Sequence, residues 1–150
     1  MGNRYVKQRK KIDMEREIKF RGKDKSTDAW VCGYSCGNDI IPISKYHAAS
    51  CGYMEEQPCF ECVENSIFQF TGLKDDEGNE IYEGDILDVQ SLDISTMNEH
   101  IIGEVSFEDG SFYVKYKGFS CPLTLVALNN IVKIIGNIFD NPELLETEDE

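Results

Sequence analysis

The chain has 150 residues, of which 41% are hydrophobic and 11% aromatic, and its formal net charge is −13. This is the length of one ordinary domain, and the apolar content suffices for a packed core, which excludes an intrinsically disordered chain. No run approaches the roughly 18 apolar residues of a membrane-spanning helix, and the N-terminus lacks the apolar core of a secretory signal. We therefore expect a soluble cytoplasmic protein.

The charge is divided unevenly along the chain. Residues 1–25 carry a net +6, whereas residues 26–150 contain five Lys against 24 Asp and Glu, a net −19. A body this acidic repels nucleic acid phosphates and attracts basic protein surfaces, although acidity also serves solubility alone. Residues 1–15 are predicted to be a flexible basic extension, either a solvated tail or an arm that contacts nucleic acid. The candidate contact residues of the arm are Arg4, Lys7, Arg9, Lys10 and Lys11.

The first predicted element is a β-hairpin. Ile18 and Phe20 alternate with charged residues over residues 17–21, which is typical of a half-buried strand. The second strand covers residues 29–34, where Trp30 is interpreted as a core anchor because nothing near it in sequence offers a polar partner. The following residues, 35–61, are irregular, and only residues 39–44 are expected to be extended.

Five cysteines lie within this region, between residues 32 and 62, and four of them form two close pairs. Closely spaced thiolates can supply the tetrahedral ligands that zinc requires. The first pair has an unusual three-residue spacer and 22 residues separate the pairs, so packed or surface thiols are the competing interpretation. A structural zinc site would use Cys32, Cys36, Cys59 and Cys62.

The next predicted strands, residues 67–71 and 86–89, flank a turn at Asp76-Glu77-Gly78-Asn79. Further along, Asp109-Gly110 lies between two alternating segments and predicts a two-residue hairpin. The hairpin strands are residues 101–107 and 112–116. One face of this hairpin should carry Val105, Phe107, Phe112, Val114 and Tyr116.

The C-terminal part is predicted to return to the sheet. Residues 122–128, which follow an expected core cysteine at Cys121, form either a strand or a helical turn, and residues 131–138 form a strand with a bulge at Gly136. Asn141 and Pro142 are expected to cap and begin a short C-terminal helix. Residues 147–150 form an acidic tail.

Short strands with turn signals about every ten residues indicate an all-β fold with a short C-terminal helix. We predict an N-terminal β-hairpin subdomain over residues 16–68, which includes the cysteine-bearing loop. A small SH3-like barrel over residues 69–146 would follow it.

No catalytic arrangement is recognisable. The only candidate bases for a nucleophile are His47 and His100, and no nucleotide-binding glycine motif occurs. Carboxylates such as Asp75, Asp76 and Asp85 could act in pairs, but in a chain with 28 acidic residues such pairs carry little information. We therefore predict a non-enzymatic protein with no catalytic or cofactor-binding residues.

Three segments together resemble the YopX family of phage and prophage proteins. They are REIKFRGKDKSTDAWVCGY at residues 16–34, QFTGLKDDEGNEIYEGDIL at 69–87 and VKIIGNIFDNPELLE at 132–146, and GEVSFEDGSFYV at 103–114 is similar to the family's second-half hairpin. The resemblance implies a mostly β fold and self-association, and it supplies no catalytic residues. The cysteine-bearing loop falls where the family varies, which leaves at most a local zinc site.

The residues and the resemblance together predict a phage-encoded accessory protein that acts in the bacterial host cytoplasm. It would bind a protein partner through its acidic surface and would be a homo-oligomer. Three alternatives remain open: nucleic acid contact through the basic arm, a zinc-stabilised binding module, and the binding of a small nucleotide signal.

Overall fold

The chain folds into two antiparallel β-sheets joined by one connection, as described by a computed structural model. The structure describes residues 17–42, 59–92, 95 and 99–146. Strands make up 57% of it, with one short α-helix, so the predicted all-β class is confirmed. The predicted basic arm with Arg4, Lys7, Arg9, Lys10 and Lys11, the acidic tail and most of the irregular loop lie outside the described residues.

The first sheet has six strands in the order β4-β3-β2-β1-β5-β6. Its core is the predicted hairpin, in which β1 pairs with β2 so that Lys23 lies opposite Trp30. The strands are β1 (Phe20–Lys23), β2 (Trp30–Cys36), β3 (Asp39–Pro42), β4 (Phe60–Glu61), β5 (Phe68–Lys74) and β6 (Glu80–Tyr82). The short β6 lies in a segment that the sequence interpretation left as a connection.

The second sheet has five strands in the order β10-β9-β8-β7-β11. Its elements are β7 (Asp85–Ser91), β8 (His100–Glu108), β9 (Ser111–Tyr116), β10 (Phe119–Pro122), α1 (Leu123–Asn129) and β11 (Asn130–Asn137). The open alternative for residues 122–128 is therefore resolved as a helix. Among the described residues the strand order is open, with β10 and β11 at its two edges, so the SH3-like barrel stays a prediction.

Two tight hairpins order this sheet. Asp109 and Gly110 both have positive φ angles, 49° and 78°, which is the turn type that matches the twist of a two-residue hairpin. The prediction for this hairpin is confirmed, since Glu108 pairs with Ser111. Lys117-Gly118 makes the same turn between β9 and β10, with φ angles of 43° and 81°. The predicted bulge near Gly136 is also present, because the register of β11 shifts between Ile134 and Gly136.

The predicted short C-terminal helix is present as a 3₁₀ helix, Pro142–Leu145, with Asn141 at its N-cap position. Two details of the prediction are wrong. The first is the cap, because the Asn141 side chain makes no capping bond to the helix. Instead, Asn141 Oδ1 accepts a bond from the backbone N–H of Asn137 at 3.4 Å, which ties the helix back to β11. The second error is Cys121, predicted to lie in the core but exposed on the edge strand β10.

The main hydrophobic core lies between the second sheet, α1 and the hairpin of β5 and β6. Leu73 and Ile81 from that hairpin pack with the second-sheet residues Leu87 and Val105, and all four are at most 2% exposed. The hairpin thus hydrogen-bonds to the first sheet but packs against the second. The chain changes sheet after residue 82. The subdomain boundary after residue 68 stays a prediction. No described helix is long and apolar enough to cross a membrane.

The acidic turn between β5 and β6 fastens this hairpin to β11. Asp75 is 6% exposed, and its carboxylate accepts backbone N–H bonds from Glu77, Asn79 and Ile134 at 2.8–3.1 Å. Asp76 accepts a bond from the N–H of Val132 at 2.6 Å and donates its own N–H to the Val132 carbonyl at 3.0 Å. The two carboxylates therefore occupy the outer edge of β11 and satisfy the backbone N–H groups of Val132 and Ile134.

We predict that Asp75→Ala destabilises the protein by about 2 kcal/mol, because it leaves backbone donors of the turn and of β11 without an acceptor. Urea unfolding measures the change. The matched control is Glu77→Ala in the same turn, whose ion pair with Lys133 at 3.2 Å is more than half exposed and should contribute little. Equal stability of the two variants would contradict a structural role for Asp75.

Candidate functional site

Three basic side chains of the N-terminal region share one face of the first sheet. Side chains alternate along a strand, so Lys19, Arg21 and Lys23 point the same way, and the register of β1 with β2 adds Trp30 and Cys32 to that face. We call the three basic residues the cation row. Each of its side chains is only 12–13% exposed, which is unusual for charged groups and requires partners.

The central member, Arg21, forms a buried ion pair. Its Nη2 lies 2.6 Å from Asp85 Oδ1, and Asp85 is 1% exposed. The guanidinium lies 5.0 Å from the ring centre of Trp30 and 4.8 Å from that of Tyr82, distances typical of cation–π contacts. Asp85 Oδ2 also accepts the backbone N–H of Tyr82 at 2.7 Å. Burial raises the pKa of Asp85, and the positive charge of Arg21 opposes this shift.

Lys19 lies at one end of the row, where Glu80 neutralises it. Its Nζ is 2.6 Å from Glu80 Oε1 and 4.7 Å from the ring centre of Phe70. Glu80 also accepts the hydroxyl of Tyr82 at 2.9 Å. Burial alone would raise the pKa of Glu80, but its hydrogen bonds from Lys19 and Tyr82 outweigh burial and lower it.

Lys23, at the other end, pairs with Asp140 at 2.5 Å. Asp140 Oδ2 also accepts the indole N–H of Trp30 at 2.7 Å. The expectation that Trp30 has no polar partner is therefore wrong, because its partner lies 110 positions away in sequence. All three basic groups of the row are thus paired inside the fold, which makes the row a structural element and not a free anion-binding surface.

The described cysteines do not converge on one point. Cys32 lies on the face of the cation row, with its Sγ 3.6 Å from the Tyr82 hydroxyl. Cys62 is buried on the opposite face, where a Cβ on Gly22 would come within 2.5 Å of its Sγ, and burial raises the pKa of its thiol. Cys59 is exposed, with its Sγ 3.5 Å from an oxygen of Asp39.

Strand spacing keeps Cys32 and Cys59 apart, since β4 lies two strands from β2, about 10 Å away. A zinc ion binds thiolates at about 2.3 Å, so these two cannot share one ion in this arrangement. No group of three or more possible metal ligands occurs among the described residues. The side chain of Cys36 and the whole of Cys51 lie outside them, so zinc binding by the loop stays a prediction.

The outer face of the second sheet is acidic. Asp88, Glu104 and Glu108 alternate with the core residues of β7 and β8 and therefore point away from the core. Glu83 precedes β7, and burial followed by the nearby charge of Glu104 raises its pKa. We call these four residues the acidic face. Two of them have basic partners: Asp88 lies 2.8 Å from His100 Nδ1, and Glu108 pairs with Lys115.

Comparison with known proteins identifies the family. The family described as YopX protein matches residues 19–146, which is most of the chain. The chain belongs to the YopX family. A similar solved structure is the crystal structure of protein EF1440 from Enterococcus faecalis, with 25% identity and a TM-score of 0.50 over 87% of this chain and 99% of that chain. No curated protein matches the chain.

The region that matches the YopX family contains the whole cation row and all four residues of the acidic face. It excludes the basic arm with its five candidate nucleic acid contacts. Sequence reasoning missed both arrangements, because each is assembled from strands that are distant in the chain. The alternation of Lys19, Arg21 and Lys23 along one strand was the available signal for the row.

We predict that Arg21→Met lowers the free energy of unfolding by about 3 kcal/mol, because it leaves the buried Asp85 carboxylate without a cation. Lys25→Met is the control, since the Lys25–Glu61 pair is largely exposed and should contribute little. The double variant Arg21→Met/Asp85→Asn should recover part of the loss. Urea unfolding tests all three, and an undiminished stability of Arg21→Met would contradict the assignment.

The pH dependence of the free energy of unfolding should reveal the stabilising contribution of the ionised Glu80 side chain. The pKa of Glu80 is lower in the folded chain than its ordinary 4.5, so its ionised form stabilises the fold above that pH, and this contribution is lost as the pH falls through the folded value. Urea unfolding between about pH 6 and about pH 3 should therefore show a smaller acid-side loss for Glu80→Gln than for the unmodified chain. Glu64→Gln, at an exposed site, should retain the full loss; identical profiles for the two variants would contradict this prediction.

Proposed function

We propose that this YopX-family protein is a non-enzymatic, phage-encoded accessory protein that acts in the bacterial host cytoplasm. It binds a basic partner protein through the acidic face and works as a homo-oligomer. The observation that carries this proposal is the way the fold distributes charge, since three of the eight described basic groups are used in internal ion pairs and most of the acidic groups remain without a basic partner.

The charge balance supports this. The described residues contain 20 Asp and Glu against eight Lys and Arg. Even if every described Lys and Arg formed an ion pair with a different carboxylate, at least twelve carboxylates would have no described Lys or Arg partner. Inside the fold, Lys19 forms an ion pair with Glu80, Arg21 with Asp85 and Lys23 with Asp140. A surface with this excess attracts basic proteins over about 10 Å at moderate ionic strength and repels nucleic acid.

The acidic face is the best-defined part of that surface. It lies on a regular sheet, so its carboxylates are held at fixed spacing on a rigid support. Burial raises the pKa of Glu83, and the nearby negative charge of Glu104 adds to this shift. A basic partner would relieve the repulsion between these two carboxylates. Electrostatic complementarity of this kind mainly raises the association rate and the specificity.

Capture from host lysate tests the proposal. The immobilised full chain should retain a basic protein at about 50 mM salt and release it at about 500 mM, because salt screens the attraction. The variant Asp88→Asn/Glu104→Gln/Glu108→Gln should retain at most about a tenth as much. The control variant Glu61→Gln/Glu64→Gln/Glu77→Gln has the same net charge, with its changes outside the acidic face, and should retain it fully.

Three outcomes would contradict the proposal. One is a retained partner that is neutral or acidic and insensitive to salt. Another is an equal loss in both triple variants, which would mean that net charge alone governs binding. Light scattering tests the homo-oligomer separately, and a monomer up to about 100 µM would remove that part.

A further inference from the structure

The two edges of the second sheet differ in how they are protected. The outer edge of β11 is occupied by Asp75 and Asp76, which bond to the backbone of Val132 and Ile134. No described strand pairs with the outer edge of β10, and its first three residues, Phe119 to Cys121, are exposed. An open strand edge is a template for the addition of another strand.

The backbone geometry shows what this edge offers. Phe119 and Tyr116 close the two-residue hairpin and Cys121 pairs with Val114, so the backbone groups of these β10 residues face β9. Ser120 lies between them, and its N–H and C=O therefore face outward. Pro122 has no N–H and ends the edge. A bound strand would thus be short, anchored on Ser120.

Beside this edge lies an apolar groove. In the described part of the chain, α1 covers the inner face of the sheet at one end, and a groove of about 150 Å³ lies where β8 and β10 begin. Phe119 is 76% exposed at its rim, a costly position for a large aromatic side chain. The groove-lining side chains include Val89, Ile101, Val114, Tyr116, Phe119 and Cys121.

The charge at the rim indicates the chemistry of the occupant. Lys117 lies in the turn before β10, with its Nζ 5.5 Å from the ring centre of Tyr116. It has no acidic partner among the described residues, whereas six other cations, Lys19, Arg21, Lys23, Lys25, Lys115 and Lys133, each pair with a carboxylate. In a chain with so many acids, an unpaired cation beside an apolar groove favours an acidic ligand.

We propose that β10 and this groove bind an extended peptide segment of a partner protein, which adds as an antiparallel strand to the edge. The backbone bonds of Ser120 hold the segment, and alternate side chains enter the groove. In antiparallel register, the residues opposite Cys121 and Phe119 face the groove, and the chain then passes Lys117. The recognised pattern is therefore apolar-x-apolar-x-acidic, read from N- to C-terminus.

The probe is a display library of random peptides, selected on the immobilised full chain. Enriched sequences should share the pattern, and one of them, labelled with a fluorophore, gives the affinity by anisotropy. Ser120→Pro, which removes the outward N–H, and Phe119→Ala should each weaken binding about tenfold or more. Phe107→Ala is the matched control, an exposed aromatic at the far end of the same face, and should bind normally.

A charge swap tests Lys117 directly. Lys117→Glu should weaken the acidic peptide about fivefold at low salt, and a peptide with Lys in the acidic position should recover that loss on the variant. Circular dichroism and urea unfolding verify that each variant is folded. The acidic-face triple variant should bind the peptide normally, so the failure of lysate capture and the failure of peptide binding are distinguishable.

The inference is overturned if no patterned peptide is enriched, or if Ser120→Pro binds like the unmodified chain. It is also overturned if Ser120→Pro converts a dimer to a monomer, because the edge would then belong to a second copy of this chain.

Discussion

The buried carboxylate of Asp85 is the group on which both sheets depend. It begins β7, directly after Gly84, where the chain changes sheet with a φ of 82°. At this point the N–H of Gly84 donates to the carbonyl of Val105, and the carbonyl of Gly84 accepts the N–H of Ile138. These backbone bonds join the connection to both sides of the second sheet. A buried carboxylate costs several kcal/mol unless it is paired, so the crossing requires Arg21 from β1 in addition to the N–H of Tyr82.

This requirement shapes the surface. Arg21 is held between the rings of Trp30 and Tyr82, and the lysines on either side of it are drawn into the same aromatic face. The first sheet therefore holds these three cations in ion pairs with three carboxylates, Glu80, Asp85 and Asp140, and the remaining acidic excess lies elsewhere. The net charge of −13 is a property of the whole sequence, and the described residues contain 20 Asp and Glu against eight Lys and Arg.

Sequence patterns predict the elements whose cause is local. The Asp109-Gly110 hairpin and the bulge at Gly136 are confirmed because a turn pair or a single glycine specifies each of them. The strand β6 was missed because it has only three residues and depends on Asp75, which holds the preceding turn. A local sequence pattern cannot predict this strand, because the Asp75 carboxylate must also bond to the backbone of β11, which is distant in the sequence.

The candidate sites were less predictable than the elements for the same reason. Trp30 finds Asp140 across 110 positions, and Cys62 turns away from Cys32 because strand alternation places it under Gly22. The spacing of cysteines along a chain does not reveal which face of a sheet each one occupies. An assignment of metal ligands from spacing in a β-protein therefore requires the strand register first.

The two edges of the second sheet connect this charge distribution with recognition. At β11 the chain uses its own carboxylates as backbone acceptors, so acidity serves as edge protection and excludes a further strand. At β10 no carboxylate from the described residues bonds to the outer edge, and the nearby Lys117 has no described acidic partner. Within the described structure, carboxylates therefore protect one edge of this sheet and not the other. A strand added to β10, as we propose, would meet the outward groups of Ser120 with its own backbone, and its carboxylate would pair with Lys117.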